Sequence, residues 1–486
     1  MAVALMIGFY LLALAIAGGL LYIPYAELTY GHRLHFRLAF GCIIGALAIL
    51  WSVLPRRDKF KPPGPPLTRE QQPRLFTEIE SVARSVGQAA PAEVYLVPDV
   101  NAWVSQRGGV MGLGSRRVMG LGLPLMRVLT RAQFRAVLAH EFGHYYGGDT
   151  KLGPWVYKTR GAIGRTLASL AGKNWEGSLL QLPFLWYGKM FLRITHAVSR
   201  RQEFQADELA ARAVGAKPLA EGLRAVHGAG LAFQSYWANE CAPVLHAGFH
   251  PPLVEGFQRF VRAGAVAEFI AKHLDEEMKE GKANPYDTHP PLKERVAAVA
   301  ALPAGEVAAD DPPAISLLEE VPALENQLLA AIAGAEQAGK LKPIAWDDVC
   351  AKVYLPQWAK LLKANAAGLG GITPESLPKW ASELPAWGQR FVQITGEKVA
   401  DQAAGNLAGA VIGSALMVLL VNRGGKPDAG LGKTISMTLN SKGIEPFAVL
   451  KALATRKLPA EEWQRTCADL GIAGVDLGKV EAQFRA

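Results

Sequence analysis

The hydrophobic pattern of the first sixty residues predicts two membrane-spanning helices. Residues 1–26 carry no charged side chain, and this apolar run is long enough to cross the hydrocarbon core of a bilayer. After a short polar loop, residues 38–54 form a second uncharged run of 17 residues. A cleaved signal peptide is disfavoured, because the first run lacks a positive n-region and the second run follows closely. We therefore expect an N-terminal two-helix transmembrane hairpin within residues 1–60.

Basic residues around these runs predict their orientation. Four basic residues follow the second run closely, whereas the loop between the runs offers two. They are Arg56, Arg57, Lys59 and Lys61 after the run, and Arg33 and Arg37 in the loop. The positive-inside rule then places the N-terminus and everything after residue 55 in the cytoplasm. We expect an integral membrane protein of the bacterial inner-membrane type.

The pattern becomes mixed after a proline-rich spacer at residues 61–68. Residues 92–99 and 116–125 are typical of short strands, and amphipathic helices follow. The pattern predicts a domain that is mainly α with a small β-sheet, at residues 65–300.

The remaining chain is expected to form a linker and a further domain. Residues 301–340 are predicted as a linker, whose clearest part is the proline- and alanine-rich stretch 302–316. Residues 341–486 are predicted to form a largely helical C-terminal domain of unknown role, with one strand near 433–441.

Two other apolar runs bear on the number of membrane spans. Residues 178–188 are too short to span and are followed by Lys189 and Arg193. Residues 402–422 are uncharged, and their glycines have the spacing of a helix-packing motif. This second run is rich in alanine and glycine and is only weakly hydrophobic, so a buried soluble helix is favoured over a third span.

Charge and cysteine usage exclude several classes of protein. The net charge of +9 comes from scattered basic residues, and the sequence contains no aromatic-and-basic module. We therefore expect no nucleic-acid partner, and we expect a lipid bilayer as a partner. The four cysteines are far apart and form no CxxC pair, which argues against a disulfide framework and a thiolate zinc site. They are Cys42, Cys241, Cys350 and Cys467.

Residues 129–148, "LTRAQFRAVLAHEFGHYYGG", are predicted to form one helix that carries metal-binding chemistry. Thr130 and Gln133 form a capping-box pattern at its start, and a pair of glycines near its end supplies a stop. His140 and His144 lie one turn apart on one face, so both imidazoles can reach the same metal ion. Glu141 beside them can deprotonate a water molecule. The HExxH motif alone remains a hypothesis, because it also needs a third ligand.

A second predicted helix at residues 199–215 offers that ligand. Its Glu203 and Asp207 lie one turn apart. A glutamate completes a His₂Glu zinc site with an open fourth position, as a catalytic zinc requires. A carboxylate one turn further along can accept the other ring N–H of a liganding histidine. Taken alone, the ExxxD pattern also fits a solvated acidic helix face.

Three motifs in order, "AVLAHEFGH", "RQEFQADELAA" and "THPPLKERVAAV", resemble the HtpX and CAAX prenyl protease family of integral-membrane zinc peptidases. The resemblance covers roughly residues 65–300. It implies a gluzincin, that is an α+β zincin-like peptidase domain, with one Zn²⁺ per chain on His140, His144 and Glu203. It further implies that Glu141 is the general base and that Asp207 is the partner of a zinc histidine.

The third motif implies further roles, and parts of the chain depart from the family. His289 would stabilise the oxyanion and Arg295 would support the site; alternatively, His289 only orders a loop before a helix. His250, in a second "HPPL", lacks the matching arginine and is interpreted as structural or incidental. HtpX members have two more spans after HExxH, whereas residues 151–199 here have only an amphipathic pattern. The CAAX proteases have still more spans, so prenylated substrates are doubtful.

These features predict a membrane-anchored zinc-dependent endopeptidase that hydrolyses unfolded, damaged or membrane-associated proteins at the cytoplasmic face, in protein quality control. The polypeptide substrate is expected to lie along an edge strand near residues 116–123. One alternative is a dedicated processing peptidase with one narrow substrate. A non-catalytic zinc-containing membrane scaffold is less favoured, because Glu141 has no structural need to be there.

Overall fold

The computed structural model describes the whole chain except a set of short segments. These are residues 1, 33, 55–59, 110–113, 146–152, 172–174, 282–288, 306–308, 396–400 and 485–486. The described residues are mostly helical with small sheets, as the sequence predicted. They group into two compact units: unit 1 is Met1–Phe233 with Ile270–Ala335, and unit 2 is Gln234–Phe269 with Glu336–Ala486. Residues 234–269 thus group with the C-terminal part of the chain.

The helices and strands follow one another in this order. The α-helices are α1 (Ala2–Tyr30), α2 (Phe36–Val53), α3 (Pro73–Ser85), α4 (Leu123–Val128), α5 (Arg131–Gly143), α6 (Gly153–Leu170), α7 (Trp175–Val214), α8 (Ala216–Tyr236), α9 (Ala242–His246), α10 (Leu253–Arg262), α11 (Gly264–Glu280), α12 (Leu292–Val299), α13 (Val321–Ala333), α14 (Ala335–Ala338), α15 (Leu355–Leu369), α16 (Leu377–Trp380), α17 (Leu384–Thr395), α18 (Asp401–Asn422), α19 (Val449–Ala454) and α20 (Ala460–Asp469). The strands are β1 (Pro66–Leu67), β2 (Glu93–Val97), β3 (Ala102–Arg107), β4 (Arg116–Gly122), β5 (Phe249–His250), β6 (Lys342–Pro343), β7 (Lys426–Asp428), β8 (Ser436–Leu439) and β9 (Lys442–Ile444).

The two N-terminal helices are apolar and share a core with two later helices. Both α1 and α2 are long and apolar enough to cross a membrane. Phe9 and Ile49 from these helices are fully buried together with Phe184 and Phe191 of α7, and α6 contributes to the same cluster. The interval 151–199, whose sequence pattern is amphipathic, therefore supplies helices that pack against the predicted spans.

The main sheet of unit 1 has the strand order β1-β2-β4-β3. Strand β4 pairs in parallel with β2 and antiparallel with β3, so it is a central strand. The expectation of an edge strand near residues 116–123 is therefore wrong. Residues 102–107 form a strand that pairs with β4 along its length, so β3 and not β4 is the edge strand on this side of the sheet. The sequence did not reveal this, since β3 ends in Ser, Gln and Arg and lacks a clear apolar alternation.

Helix α5 begins where the sequence predicted. The backbone N–H of Gln133 donates to Thr130 Oγ1 at 3.3 Å, and the N–H of Thr130 donates to Gln133 Oε1 at 3.1 Å, which completes the capping box. Buried Glu78 of α3 accepts hydrogen bonds from Arg131 and Arg135 of α5. The predicted glycine stop at residues 147–148 lies outside the described residues.

Helices α5 and α7 approach closely at Gly143, and this contact brings the two motif helices together. A Cβ atom at Gly143 would lie 2.8 Å from Cα of Ala206. Gly143→Ala is therefore expected to force the helices apart and to lower the free energy of unfolding by ~1–3 kcal/mol. Gly230→Ala on α8, where an added Cβ meets nothing within 4 Å, is the matched control and should be neutral or stabilising. Denaturation followed by circular dichroism compares the two variants, and equal stabilities would contradict the expectation.

Part of the predicted linker is folded against unit 1. The N–H of Ala314 donates to the carbonyl oxygen of Leu129 at 2.9 Å, directly before α5. Helix α13 buries Leu324, Leu328 and Leu329. The described part of residues 301–340 therefore contains ordered structure, because its apolar side chains are buried.

Helix α18 forms the centre of unit 2. It is apolar enough to be a third candidate span, but 67% of its apolar window is buried within the protein, against 22% for α1 and 33% for α2. Its neighbours are α15, α17 and the sheet of β7, β8 and β9, and the ring of Phe447 lies against Gly413. Most of this apolar window is therefore covered by other parts of unit 2.

Candidate metal centre and active site

Three side chains from two helices converge at the centre of unit 1. His140 and His144 come from the C-terminal end of α5, and Glu203 comes from α7. Nε2 of His140 lies 3.5 Å from one carboxylate oxygen of Glu203, and Nε2 of His144 lies 3.6 Å from the other. The two imidazole rings are 4.8 Å apart between centroids and nearly perpendicular.

These three donors fit a zinc ion. Ligand atoms of a tetrahedral zinc site are about 3.3 Å from one another, since each lies about 2 Å from the metal. The observed separations between the histidine nitrogens and the Glu203 oxygens are close to that value. In addition, Oε2 of Glu203 is buried and has no hydrogen-bond partner among the described residues. The guanidinium of Arg295 lies 3.4 Å from this oxygen without a hydrogen bond, so the oxygen keeps a lone pair that a metal ion can use.

Asp207 and Arg295 contact His140 and Glu203 and hold these side chains in place. Oδ1 of Asp207 lies 2.9 Å from Nδ1 of His140, so Nδ1–H donates to Asp207 and Nε2 keeps its lone pair for a metal. Arg295 donates to both Asp207 oxygens, at 2.7 and 2.8 Å, and its Nη1 lies 3.4 Å from Glu203. Its Nη2 also lies 3.3 Å from Nε2 of His140, but we interpret this as a packing contact because that nitrogen faces Glu203.

The carboxylates of Glu203 and Asp207 make the position between them and the two histidines favourable for a positive charge. Burial lowers the pKa of His140, but hydrogen bonds to Asp207 and Glu203 outweigh it and raise that pKa to about 9. Burial opposes ionisation of Glu203, yet hydrogen bonds from His140 and His289 hold its pKa well below the usual range. Burial lowers the pKa of His144 to about 4, so this ring is neutral at pH 7 and able to bind a metal.

Glu141 is adjacent to the two histidines and lines the neighbouring cavity. The ligand-type atoms of His140, Glu141 and His144 lie within 4.8 Å of one another. Burial raises the pKa of the Glu141 carboxyl to about 7, partly offset by His140. A carboxyl group in that range can both accept and donate a proton near neutral pH.

His289 is close to the site on its open side. Its Nδ1 lies 3.1 Å from Oε1 of Glu203, and 62% of its side chain is exposed. It precedes α12, which begins after two prolines and carries Arg295. The "HPPLKER" segment therefore brings both His289 and Arg295 to Glu203. His250 lies in β5 of unit 2 and is not among the residues that line the cavity.

A cavity of about 620 Å³ opens beside Glu141. Asn101 and Ala102, at the start of edge strand β3, form part of its rim. Its apolar wall includes Leu219, Leu223 and Val226 of α8. Sequence reasoning missed these residues, although their i, i+4, i+7 spacing marks one apolar helix face.

Comparisons with known proteins cover the region that contains this site. Residues 69–302 match the model of peptidase family M48. Protease HtpX of Vibrio vulnificus (strain YJ016) is 30% identical over 179 residues, which is 32% of this chain and 59% of that protein. Protease HtpX of Erwinia tasmaniensis is 29% identical over 184 residues, 32% of this chain and 60% of that protein.

A Protease HtpX homolog of Neisseria meningitidis serogroup C / serotype 2a is 28% identical over 172 residues, 33% of this chain and 60% of that protein. The chain thus spans about 60% of the length of these curated relatives. No solved structure matches the chain.

Proposed function

Since residues 69–302 match the model of peptidase family M48, we propose that the protein is a membrane-anchored zinc-dependent endopeptidase. Its substrates are unfolded, damaged or membrane-associated polypeptides at the cytoplasmic face. The observation that carries this proposal is the convergence of His140, His144 and Glu203 beside Glu141 and an open cavity. Two imidazoles and a carboxylate form a donor set that zinc prefers, and three protein ligands leave a position for the reaction.

The residues of the site have separate roles in this proposal. Bound zinc would supply a Lewis acid that polarises the scissile carbonyl and acidifies a water molecule. Glu141 takes the proton from the attacking water and delivers it to the leaving amine. His289, exposed beside Glu203, donates a hydrogen bond to the developing oxyanion. Asp207 holds the ring of His140 in the required tautomer, and Arg295 holds Asp207.

The free edge of β3 is the proposed binding strand for the substrate. Among the described strands β3 pairs only with β4, so it is an edge strand of the sheet, and Ala102 at its start lines the cavity. An extended polypeptide can add to such an edge through main-chain hydrogen bonds. These hydrogen bonds involve the backbone of the substrate more than its side chains. The enzyme is therefore expected to cleave unfolded chains of many different sequences.

The membrane attachment is proposed to involve more than α1 and α2. The first half of α7 and most of α6 share an apolar core with these helices, so they enter the same bilayer. The peptidase domain then lies on the side of the membrane that carries the basic residues, which is the cytoplasm.

A narrower processing peptidase is the second candidate. Unit 2 has its own large apolar core and is a separate folded unit, and in this candidate function it would select the one substrate. A structural role for the metal is less favoured, because Glu141 lines the cavity next to the histidines.

Removal of the metal tests the proposed chemistry. Detergent-purified protein is expected to cleave unfolded casein, to lose at least ~10³-fold in rate after treatment with a chelator, and to recover with one equivalent of Zn²⁺. Mg²⁺ is the control metal and should not restore cleavage, since a His₂Glu site suits zinc better. Cleavage that persists in protein shown to be metal-free would contradict the proposal. Cleavage of one membrane protein but not of casein would favour the narrow processing peptidase.

A further inference from the structure

One segment of the chain has a large excess of basic over acidic residues. Residues 151–202 contain nine Lys and Arg residues and a single acidic residue, Glu176, while the whole chain has a net charge of +9. Seven of these basic residues lie on α6 and on the first two thirds of α7, directly before Glu203. A charge imbalance of this size within two packed helices points to an anionic partner.

Six described members of this set form what we call the basic collar. They are Lys158, Arg160 and Arg165 on α6, and Lys189, Arg193 and Arg200 on α7. The two helices run side by side at this level, because Arg160 Nη2 donates to Thr195 Oγ1 at 3.4 Å. The collar therefore belongs to one surface region rather than to two separate helices.

The collar begins where the exposed face of α7 changes from apolar to basic. Leu182 and Trp186 are 56% and 68% exposed, and they are followed by exposed Lys189 and Arg193. Exposed apolar side chains face lipid when a helix enters a bilayer, and tryptophan is enriched at the membrane–water boundary. Trp186 thus marks the boundary, and the collar lies just outside it.

The ends of the two predicted spans meet the collar at the same level. Tyr187 donates its hydroxyl hydrogen to the carbonyl oxygen of Leu5, near the start of α1, at 2.5 Å. Nε of Arg165 donates to the carbonyl oxygen of Ser52, near the end of α2, at 3.1 Å. The collar therefore surrounds the place where these helices leave the hydrocarbon region.

Several basic groups of the collar have no acidic partner among the described residues. Nζ of Lys158 and Nε of Arg160 are buried and have no hydrogen-bond partner within the part of the chain that the structure describes. Lys189 and Arg193 form no ion pair with any described residue. Lys189 and Arg193 are exposed cations without an acidic partner among the described residues, so an anion from outside the chain is favoured beside them.

We infer that the basic collar binds the phosphate groups of anionic phospholipids in the leaflet that faces the peptidase domain; this rests on the membrane attachment in the proposed function. Arg and Lys bind phosphate oxygens through charge-assisted hydrogen bonds. Clusters of four to eight basic residues next to a membrane helix attract anionic lipid, at about 1 kcal/mol per residue. A free phosphate ion offers the same chemistry but is not held at the bilayer surface.

The collar is directly connected to the proposed metal centre. Helix α7 is continuous from Trp175 to Val214, so Arg200 lies less than one turn before Glu203 on the same rigid element. A ligand that binds the folded helix stabilises it by mass action. Anionic lipid at the collar therefore stabilises the segment that carries Glu203 and Asp207.

The test measures lipid binding directly. Full-length protein is placed in nanodiscs of phosphatidylcholine with or without phosphatidylglycerol, and retained lipid is counted by native mass spectrometry after extraction. We expect preferential retention of phosphatidylglycerol by the wild type. The double variant Lys189→Gln/Arg193→Gln should bind it roughly 25-fold more weakly, since each basic residue contributes about fivefold. Both residues are exposed, so folding should be preserved.

The matched control removes the same charge elsewhere in unit 1. Lys217→Gln/Arg224→Gln on α8 should retain phosphatidylglycerol like the wild type. Equal retention of both lipids by the wild type, or equal loss in both double variants, would overturn the inference. A third arm adds inorganic phosphate to phosphatidylcholine nanodiscs and measures thermal stability. Stabilisation equal to that by phosphatidylglycerol would show recognition of free phosphate and not of lipid.

The lipid measurement does not depend on catalysis. Retention of phosphatidylglycerol by a protein that cleaves no substrate would support the collar and count against the proposed peptidase. Cleavage of casein by a protein that shows no preference for phosphatidylglycerol would support the proposed peptidase and count against lipid binding by the collar.

Discussion

Glu141→Gln is expected to lower kcat for peptide hydrolysis by ~10²–10⁴-fold while one zinc ion per chain is retained. Glutamine has nearly the same shape as glutamate, but its amide cannot take the proton from the attacking water. The metal should stay, because the ligand atoms come from His140, His144 and Glu203. Single-turnover cleavage of casein, together with metal analysis of the same sample, measures both quantities.

Glu208→Gln is the control for this change. Glu208 directly follows Asp207 on α7 but pairs at the surface with Arg212, and 53% of its side chain is exposed. Its replacement should leave both cleavage and zinc content unchanged. If Glu141→Gln cleaves as fast as the wild type and still binds zinc, Glu141 is not the base and the proposed mechanism fails.

The candidate site was accessible from sequence because its parts are local. His140, Glu141 and His144 lie within about one helical turn, as do Glu203 and Asp207, and helical periodicity alone places the members of each group close together. The structure brings these two groups together, with His289 and Arg295 beside them. The distance between the two helices depends on the contact of Gly143 with Ala206, which no local pattern reveals.

Strand order was not accessible from sequence, because it is set by pairing between distant residues. The apolar run of β4 indicated a strand but not its neighbours, so it was assigned to the edge. The polar end of β3 concealed the true edge. Only the pairing between these two strands shows that β4 is central and that β3 lies at the edge.

Amphipathic helices were ambiguous for a related reason. The pattern of residues 151–199 combines exposed apolar positions such as Trp186 with basic positions such as Lys189 and Arg193. Hydrophobicity averaged over such a helix is low, although one end packs with α1 and α2. Conversely, α18 is as apolar as α2 but is buried within unit 2. Burial partners, and not hydrophobicity alone, separate these two cases.

Glu203→Gln is expected to weaken zinc binding by more than about 100-fold and to abolish cleavage at ordinary zinc concentrations. The substitution removes a charged ligand from a set of three, whereas loss of an outer hydrogen-bond partner typically costs about 10–100-fold in metal affinity. Asp207→Asn is therefore the graded comparison: it leaves the three ligands in place and disturbs only the hydrogen bond to Nδ1 of His140. Competition with a fluorescent zinc chelator measures both affinities.

The order of the two effects is what tests the assignment. Glu203 touches both histidines, while Asp207 touches only His140, so the loss in affinity should be larger for Glu203→Gln. Each variant also leaves Arg295 with one carboxylate partner, so destabilisation of the fold is expected to be similar in the two. If Glu203→Gln bound zinc as tightly as Asp207→Asn at equal stability, Glu203 would not be a ligand, and the third position would belong to another residue.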